Sequence, residues 1–178
     1  MHRIPSHILA LLLLASCATI SVADDAAPDD ASWVASARRA VVYIRRTAPR
    51  FPASHGSGFL IDSAGLVYTN RHVVTARHGE QPGAKLWVGV PSKQHPDDLD
   101  YFPAVVWHLP TDDRSLDFAI LKIKAGSDYG RFPTLTLNDA RLRLGERGSA
   151  MGYPFVSEGL PVLSFNKGYI SSTRVRIG

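Results

Sequence analysis

The sequence predicts an all-β fold, and three observations support this prediction. Most of the apolar segments after residue 40 are short, and several are rich in β-branched residues. Glycine and proline separate these segments, as is typical of turns between strands. Hardly any helical periodicity follows residue 40, so a barrel or sandwich of short strands is favoured.

Composition and charge are those of an ordinary globular protein. Of the 178 residues, 45% are hydrophobic and 20% are charged, which leaves room for one domain or for two small subdomains that share an interface. The net charge of +4 comes from scattered pairs such as Arg38-Arg39 and Arg45-Arg46. Because no block of like charges occurs, no nucleic-acid partner is expected.

The N-terminus has the layout of a secretory signal peptide. His2 and Arg3 precede an apolar run, and small residues follow. A cut after Ala23 would make residues 1–23 the signal. The stretch before Cys17 also resembles a lipoprotein box, which would make residues 1–16 the signal and Cys17 a lipidated first residue. Both cuts remain open. They predict a periplasmic or secreted protein, or one anchored to a membrane only through Cys17, and a single cysteine forms no internal disulfide.

The elements of the mature chain are predicted in order. An acidic flexible leader over 24–31 precedes one or two helical turns within 31–39 and a strand at 40–44, which the following arginines, Pro49 and Pro52 are expected to end. Polar or glycine-containing turns and loops are predicted at 63–65, 91–100 and 142–148, with Gly65 available for a positive φ. Further strands are predicted at 59–62, 66–69, 85–90, 104–108, 118–123, 149–153 and within 162–176.

Two residues in this pattern are candidates for chemistry. His72 follows an apolar strand directly, at a position where catalytic groups are commonly presented, although a lone histidine is more often structural or simply exposed. Asp117 begins a strongly apolar strand, where its charge needs a partner such as the N–H of a histidine. The alternative is that Asp117 caps the turn over 111–115, and chemistry alone leaves both roles open.

Four segments together resemble a known family. They are Gly56-Ser57-Gly58-Phe59, Thr69-Asn70-Arg71-His72-Val73-Val74, Asp117-Phe118-Ala119-Ile120-Leu121-Lys122 and Met151-Gly152-Tyr153-Pro154. In this order they resemble the trypsin-like serine proteases of the bacterial HtrA/Deg kind, and the resemblance covers roughly residues 32–178. It implies a trypsin-like double β-barrel with the catalytic residues in the cleft between two six-stranded barrels. It also implies protein or peptide substrates and no cofactor.

The resemblance assigns roles to both candidates. His72 becomes the general base that takes a proton from a serine hydroxyl, and Asp117 the carboxylate that holds the imidazole in the correct tautomer. The family's nucleophile lies in a Gly-x-Ser-Gly-Gly segment after the strand resembled here by residues 167–172, and this sequence contains no such segment. Ser57 precedes His72, and Ser171 and Ser172 lack a glycine-rich turn, so none of the three is expected to be the nucleophile.

We therefore expect a chain truncated before the catalytic serine, with an incomplete second barrel and unpaired strand edges. The function predicted is that of an exported serine endopeptidase whose nucleophile segment is absent from this chain. The alternative is a catalytically inactive, protease-like peptide-binding module or a non-functional fragment. A metal site built on His72 and His78 is disfavoured, because their spacing is neither i, i+3 nor i, i+4. Substrate preference and oligomeric state are not predicted.

Overall fold

The computed structural model describes residues 18–21, 30–76, 83–95, 97–110, 117–126, 129–138, 141–157 and 159–172. Strands dominate these residues, so the all-β prediction is confirmed. Neither of the two helices in the described ranges is long and apolar enough to cross a membrane.

The described strands form one closed barrel and one open sheet. The helices are α1 (Asp30–Ala40) and α2 (Arg71–Val74). The strands are β1 (Ala18–Ser21), β2 (Val41–Ala48), β3 (Phe51–Leu60), β4 (Leu66–Thr69), β5 (Lys85–Pro91), β6 (Leu99–His108), β7 (Ala119–Ile123), β8 (Arg147–Ser157) and β9 (Leu160–Tyr169). The barrel closes in the order β2-β3-β4-β7-β6-β5, and the separate sheet has the order β1-β8-β9. Every pairing is antiparallel.

The prediction that the arginines end the first barrel strand is wrong, whereas Pro49 does follow directly after its last residue, Ala48. Strand β2 continues through Arg45 and Arg46 to Ala48. Pro52 lies inside β3, where the ladder with β2 shifts register between Arg46 and Ala48. Because of this irregularity, Pro52 faces no paired residue on β2, and its missing N–H removes no ladder hydrogen bond.

Further strands differ from the prediction in their bounds, and β3 spans Phe51–Leu60 where a strand at 59–62 was predicted. Strand β6 begins at Leu99 and takes in the end of the predicted loop over 91–100. Strand β8 runs through Pro154 to Ser157, because a register shift between Gly152 and Phe155 leaves the proline outside the ladder. Strand β9 runs from Leu160 to Tyr169, so it begins before the range 162–176 in which one or two strands were predicted.

The predicted hairpin before His72 is present as β3 and β4. In its turn, the Asp62 carboxylate accepts hydrogen bonds from the backbone N–H groups of Ala64 (3.1 Å) and Leu66 (2.7 Å). Gly65 has a φ of +91°, and a Cβ there would lie 3.0 Å from the Phe132 ring. Only glycine meets both demands without strain, so this turn fixes the register of β4.

The register of β4 brings the two ends of the predicted site together. Thr69, the last residue of β4, lies opposite Ala119, the first residue of β7. Because the strands are antiparallel, residues 70–72 leave the barrel at the same rim at which residues 117–118 enter it. Beneath this rim lies the barrel core, whose buried members include Val42, Ile44, Leu60, Val67, Val88, Val90 and Leu121.

A second apolar cluster joins the barrel to the open sheet. Tyr43 of β2 packs against Tyr153 of β8, with ring centroids 5.8 Å apart in an edge-to-face arrangement. Helix α1 covers this junction, and its Trp33 makes an edge-to-face contact with Phe165 of β9 at 5.7 Å. The open sheet is the part of the second half of the fold that the structure describes.

The N-terminal predictions fall almost entirely outside the described residues. These include Cys17 and most of the predicted signal and leader, although helix α1 already begins at Asp30. Within the signal region, β1 pairs with β8 from Ala18 opposite Met151 to Ser21 opposite Gly148.

Candidate active site

Helix α2 presents His72 at the rim of the barrel. The two residues after His72, Val73 and Val74, are buried in the barrel core. They fix how this single helical turn is rotated about its axis. The helix packs so closely on β3 that a Cβ on Gly56 would lie only 2.5 Å from a Val73 methyl group. With the valines turned inward, the His72 side chain points outward and is 53% exposed. The sequence thus places an imidazole on a rigid support while leaving its ring accessible.

Asp117 accepts two hydrogen bonds from His72. Its Oδ2 lies 2.6 Å from Nδ1 of the imidazole, and its Oδ1 accepts the backbone N–H of His72 at 3.0 Å. An ionised carboxylate only accepts hydrogen bonds, so Nδ1 carries a proton, and in the neutral form of the imidazole the lone pair is on Nε2. The pairing predicted for these two residues is therefore present, and in this pairing Asp117 directs Nε2 to act as a proton acceptor.

Asn70 is a third member of this site that the sequence did not indicate. Its side-chain amide donates to Oδ2 of Asp117 (3.1 Å) and to the backbone carbonyl of Asp117 (3.2 Å). The residue is only 4% exposed. An asparagine that follows a strand and precedes a helical turn reads equally well as a helix N-cap, so its residue type alone gives no signal of this contact.

The electrostatics of Asp117 favour its charged form. Partial burial acts to raise the pKa of the Asp117 carboxyl, but the hydrogen bonds from His72 and Asn70 and the charge of His72 outweigh it. The pKa therefore lies below its ordinary value. Burial, together with the negative charge of Asp117, also raises the pKa of the Tyr68 hydroxyl, which keeps that neighbour neutral.

Stacked rings support the chain around Asp117. Phe118 stacks on Tyr68 with centroids 5.4 Å apart, and Tyr68 stacks in turn on Phe59 at 5.4 Å. On its other side Phe118 stacks on His108 at 6.0 Å. This column of rings ties the residue next to Asp117 to three strands of the barrel, so the carboxylate stands on packed structure.

The serines considered above do not complete the site. Ser57 is buried in β3, and its hydroxyl oxygen accepts the backbone N–H of Tyr153 at 2.7 Å. Ser171 and Ser172 are exposed and follow the end of β9. In the part of the chain that the structure describes, no residue is hydrogen-bonded to Nε2 of His72. The described ranges therefore hold a hydrogen-bonded pair of His72 and Asp117, and none of these three serines is hydrogen-bonded to Nε2 of His72.

Metal ligation has no support among the described side chains. No group of three or more histidine, cysteine, aspartate or glutamate residues in these ranges is arranged to hold an ion. His78, the partner considered for His72, lies outside the described residues.

The closed barrel and the histidine–aspartate pair at its rim define a trypsin-like peptidase fold. Residues 56–177 match the family described as "Trypsin-like peptidase domain", and the chain belongs to this family.

The chain is also similar to several HtrA proteases. It is 37% identical over 123 residues to "Serine protease HTRA1" of Xenopus laevis, a match that covers 65% of this chain and 23% of the relative. It is 34% identical over 124 residues to "Serine protease HTRA2, mitochondrial" of Bos taurus, which covers 69% of this chain and 22% of the relative. With "Serine protease HTRA3" of Homo sapiens the identity is 33% over 105 residues, covering 58% and 20%. The chain thus spans less than a quarter of the length of these relatives.

Proposed function

We propose that this chain carries the general base and the orienting carboxylate of a serine endopeptidase that cleaves proteins or peptides. The observation that carries the proposal is the 2.6 Å contact between Nδ1 of His72 and Oδ2 of Asp117. Membership of the trypsin-like peptidase family and the similarity to HtrA proteases support the same reaction class.

The proposed mechanism is acyl transfer through a serine ester. Nε2 of His72 takes the proton of a serine hydroxyl as the oxygen attacks the peptide carbonyl, and then gives that proton to the leaving amine. Asp117 stays ionised and stabilises the imidazolium that forms between these steps. In the second half of the cycle, a water molecule replaces the amine, and His72 accepts its proton. The low pKa of Asp117 fits this role, because the carboxylate must not take the proton itself.

The nucleophile of this proposal lies outside the 178 residues. The sequence holds no Gly-x-Ser-Gly-Gly segment, and none of the serines at 57, 171 and 172 is hydrogen-bonded to His72. The gene beyond the codon for Gly178 decides this point. The proposal requires a Gly-x-Ser-Gly-Gly segment encoded shortly downstream, and its absence from every frame would refute the proposal.

A fluorophosphonate probe, which labels an activated serine covalently, tests the reaction. It is applied to the natural-length protein, by which we mean the product of the gene read to its natural stop codon. We expect labelling of the wild type and a large loss with His72→Ala, because the serine then lacks its base. His95→Ala is the matched control, since the His95 side chain is exposed and the residue's backbone carbonyl accepts the N–H of Asp98, a bond that alanine keeps. Wild-type labelling that survives His72→Ala would contradict the proposal.

The alternative is a catalytically inactive module that retains the cleft and holds peptides. The observation that favours it is that none of the described residues is hydrogen-bonded to Nε2 of His72. Incubation with an unfolded protein and the same probe separates the two functions. Peptide binding without covalent labelling or cleavage supports the inactive module, and labelling excludes it.

We also propose export, on the evidence of the N-terminal sequence pattern. The two cuts have different consequences for β1. Cleavage after Ala23 removes this strand from its pairing with β8, whereas cleavage before Cys17 keeps it and adds a lipid anchor. Mass spectrometry of the mature N-terminus distinguishes them: a free Asp24 or a lipidated Cys17 supports export, and an unprocessed Met1 contradicts it.

A further inference from the structure

The side chain of Asn70 stands in the place of a helix cap without acting as one. It precedes α2 with an extended backbone (φ −78°, ψ 143°), yet it makes no side-chain hydrogen bond to the helix. Asparagine at such a position ordinarily accepts a backbone N–H of the first turn. Here the amide instead turns to Asp117 and donates to its Oδ2 at 3.1 Å and its backbone carbonyl at 3.2 Å.

The amide supplies an anchor for Asp117 that does not depend on His72. Three donors reach the carboxylate from the described residues: the backbone N–H and Nδ1 of His72, and Nδ2 of Asn70. Two of these belong to the residue that the carboxylate has to orient. The Asp117 side chain is 46% exposed, so water competes for both oxygens. The buried amide of Asn70 holds Oδ2 as well, and its hydrogen bond does not involve His72. It therefore keeps the plane of the carboxylate fixed whether or not the imidazole is bound to it.

The hydrogen bond from the Asn70 amide to the backbone carbonyl of Asp117 also anchors the main chain at this residue. Asn70 holds the carbonyl of Asp117, and the next residue, Arg71, donates from Nη1 to the carbonyl of Pro110 at 3.0 Å. Two consecutive residues at the start of α2 therefore hold both ends of the stretch between Pro110 and Asp117. The position of the carboxylate relative to His72 is set from the helical turn that carries His72 itself.

We infer that Asn70 is a positioning residue, whose buried amide aims Oδ2 of Asp117 at Nδ1 of His72 and so keeps Nε2 as the proton acceptor. This inference rests on the proposed function for its effect on catalysis. Its effect on the imidazole is independent of any nucleophile, because the Asn70–Asp117–His72 contacts lie within the described residues.

Nitrogen-15 NMR of the histidine rings tests the positioning in the 178-residue chain. The ring-nitrogen shifts report which nitrogen carries the proton. We expect the Nδ1–H form of His72 to predominate in the wild type and its share to fall in Asn70→Ala, where Asp117 loses its independent anchor. Asn70→Ser keeps a small polar side chain if alanine fails to fold, but its hydroxyl is too short to reach Oδ2, so the same fall is expected.

Asn166→Ala is the matched control. Asn166 is exposed on β9, and its amide donates to the Ser164 hydroxyl at 3.0 Å, remote in sequence from the site. Its removal leaves the His72 tautomer unchanged. The inference is overturned if a folded Asn70→Ala or Asn70→Ser chain shows the same tautomer share as Asn166→Ala.

Peptide hydrolysis by the natural-length protein supplies the second readout. Asn70→Ala lowers kcat about 10- to 100-fold with little change in KM, because a misaligned base weakens the transition state more than substrate binding. No hydrolysis by the wild type would refute the proposed function, while the NMR result still decides the role of Asn70. Hydrolysis at the wild-type rate by Asn70→Ala, with a wild-type tautomer, would refute the role of Asn70 alone.

Discussion

The hydroxyl oxygen of Ser57 accepts the backbone N–H of Tyr153 at 2.7 Å, and this bond joins the closed barrel to the open sheet. Both residues are 5% exposed, so the contact is shielded from water. A serine flanked by two glycines and close in sequence to His72 invites interpretation as a nucleophile. Its burial and its partner show instead that this hydroxyl has a structural role.

Removing this hydroxyl leaves a buried N–H without its acceptor. We expect Ser57→Ala to lower the free energy of unfolding by about 1 to 3 kcal/mol, measured by urea or guanidinium denaturation. Ser36→Ala is the control, since Ser36 lies on the exposed face of α1 and alanine is a better helix former. Equal stability of the two variants would show that the bond between Ser57 and Tyr153 contributes nothing.

The Tyr153 hydroxyl makes the fold sensitive to alkaline pH. Burial, the largest effect, raises its pKa from 10.0 to about 12 against the opposing charge of Arg38. Because the folded state disfavours the phenolate, the resulting stability is fully present below pH 10.0 and is lost as the pH rises through about 12. A shift of this size corresponds to roughly 2 to 3 kcal/mol.

Denaturation at a series of pH values checks this effect. Between pH 10.0 and about pH 12, the free energy of unfolding of the wild type is expected to fall. The fall is shallower in Tyr153→Phe, because phenylalanine has no hydroxyl proton to lose. Other tyrosines contribute to both curves, so the difference between the two slopes is the relevant quantity. Identical slopes would contradict the assignment to Tyr153.

The turn before β4 demands glycine at position 65. We expect Gly65→Ala to cost about 1 to 3 kcal/mol in unfolding free energy, because alanine is strained at a φ of +91° and its Cβ meets the Phe132 ring. Gly126→Ala is the control, since a Cβ there meets nothing within 4 Å and no positive φ is required. Equal stability of the two variants would contradict the role of this turn in fixing β4.

The low pKa of Asp117 predicts a loss of stability in acid. The folded state favours the carboxylate, so its contribution is present above the ordinary pKa of 3.8 and is lost as the pH falls through the lower value of the folded protein. Asp117→Asn therefore gives a flatter stability curve in this acid range than the wild type. Asp98→Asn, at an exposed position, is expected to follow the wild type; if it flattens the curve as much as Asp117→Asn does, Asp117 has no special role there.

The strand pattern was sufficient to predict the fold class, whereas the pairing of His72 with Asp117 followed from the resemblance to a known family, because residue chemistry alone left the role of Asp117 open. His72 and Asp117 are each preceded or followed by apolar strands, and antiparallel pairing of those strands brings them together. Gly65 indicated the hairpin turn because glycine adopts a positive φ without the steric penalty that other residues have. Such signals are local, and they can be read along the chain without knowledge of distant contacts.

The features that the sequence did not reveal depend on contacts between distant residues. The Asn70 amide looks like a helix cap until Asp117 is seen beside it. Pro52 reads as a strand terminator, but an irregular register lets β3 continue through it. Arg46 reads as a surface residue, yet it is buried inside the extended β2. In each case residue type favours one local outcome, and packing selects another.

The most direct test of the central claim measures peptide hydrolysis by the natural-length protein carrying Asp117→Asn. The change preserves the shape of the side chain but replaces the acceptor of the His72 Nδ1–H with an amide that favours the wrong tautomer. We expect kcat at neutral pH to fall by about 10⁴-fold, as in related triads, and Asp98→Asn to retain wild-type activity. A kcat for Asp117→Asn equal to that of Asp98→Asn would contradict the claim that His72 and Asp117 form the catalytic base of a serine protease.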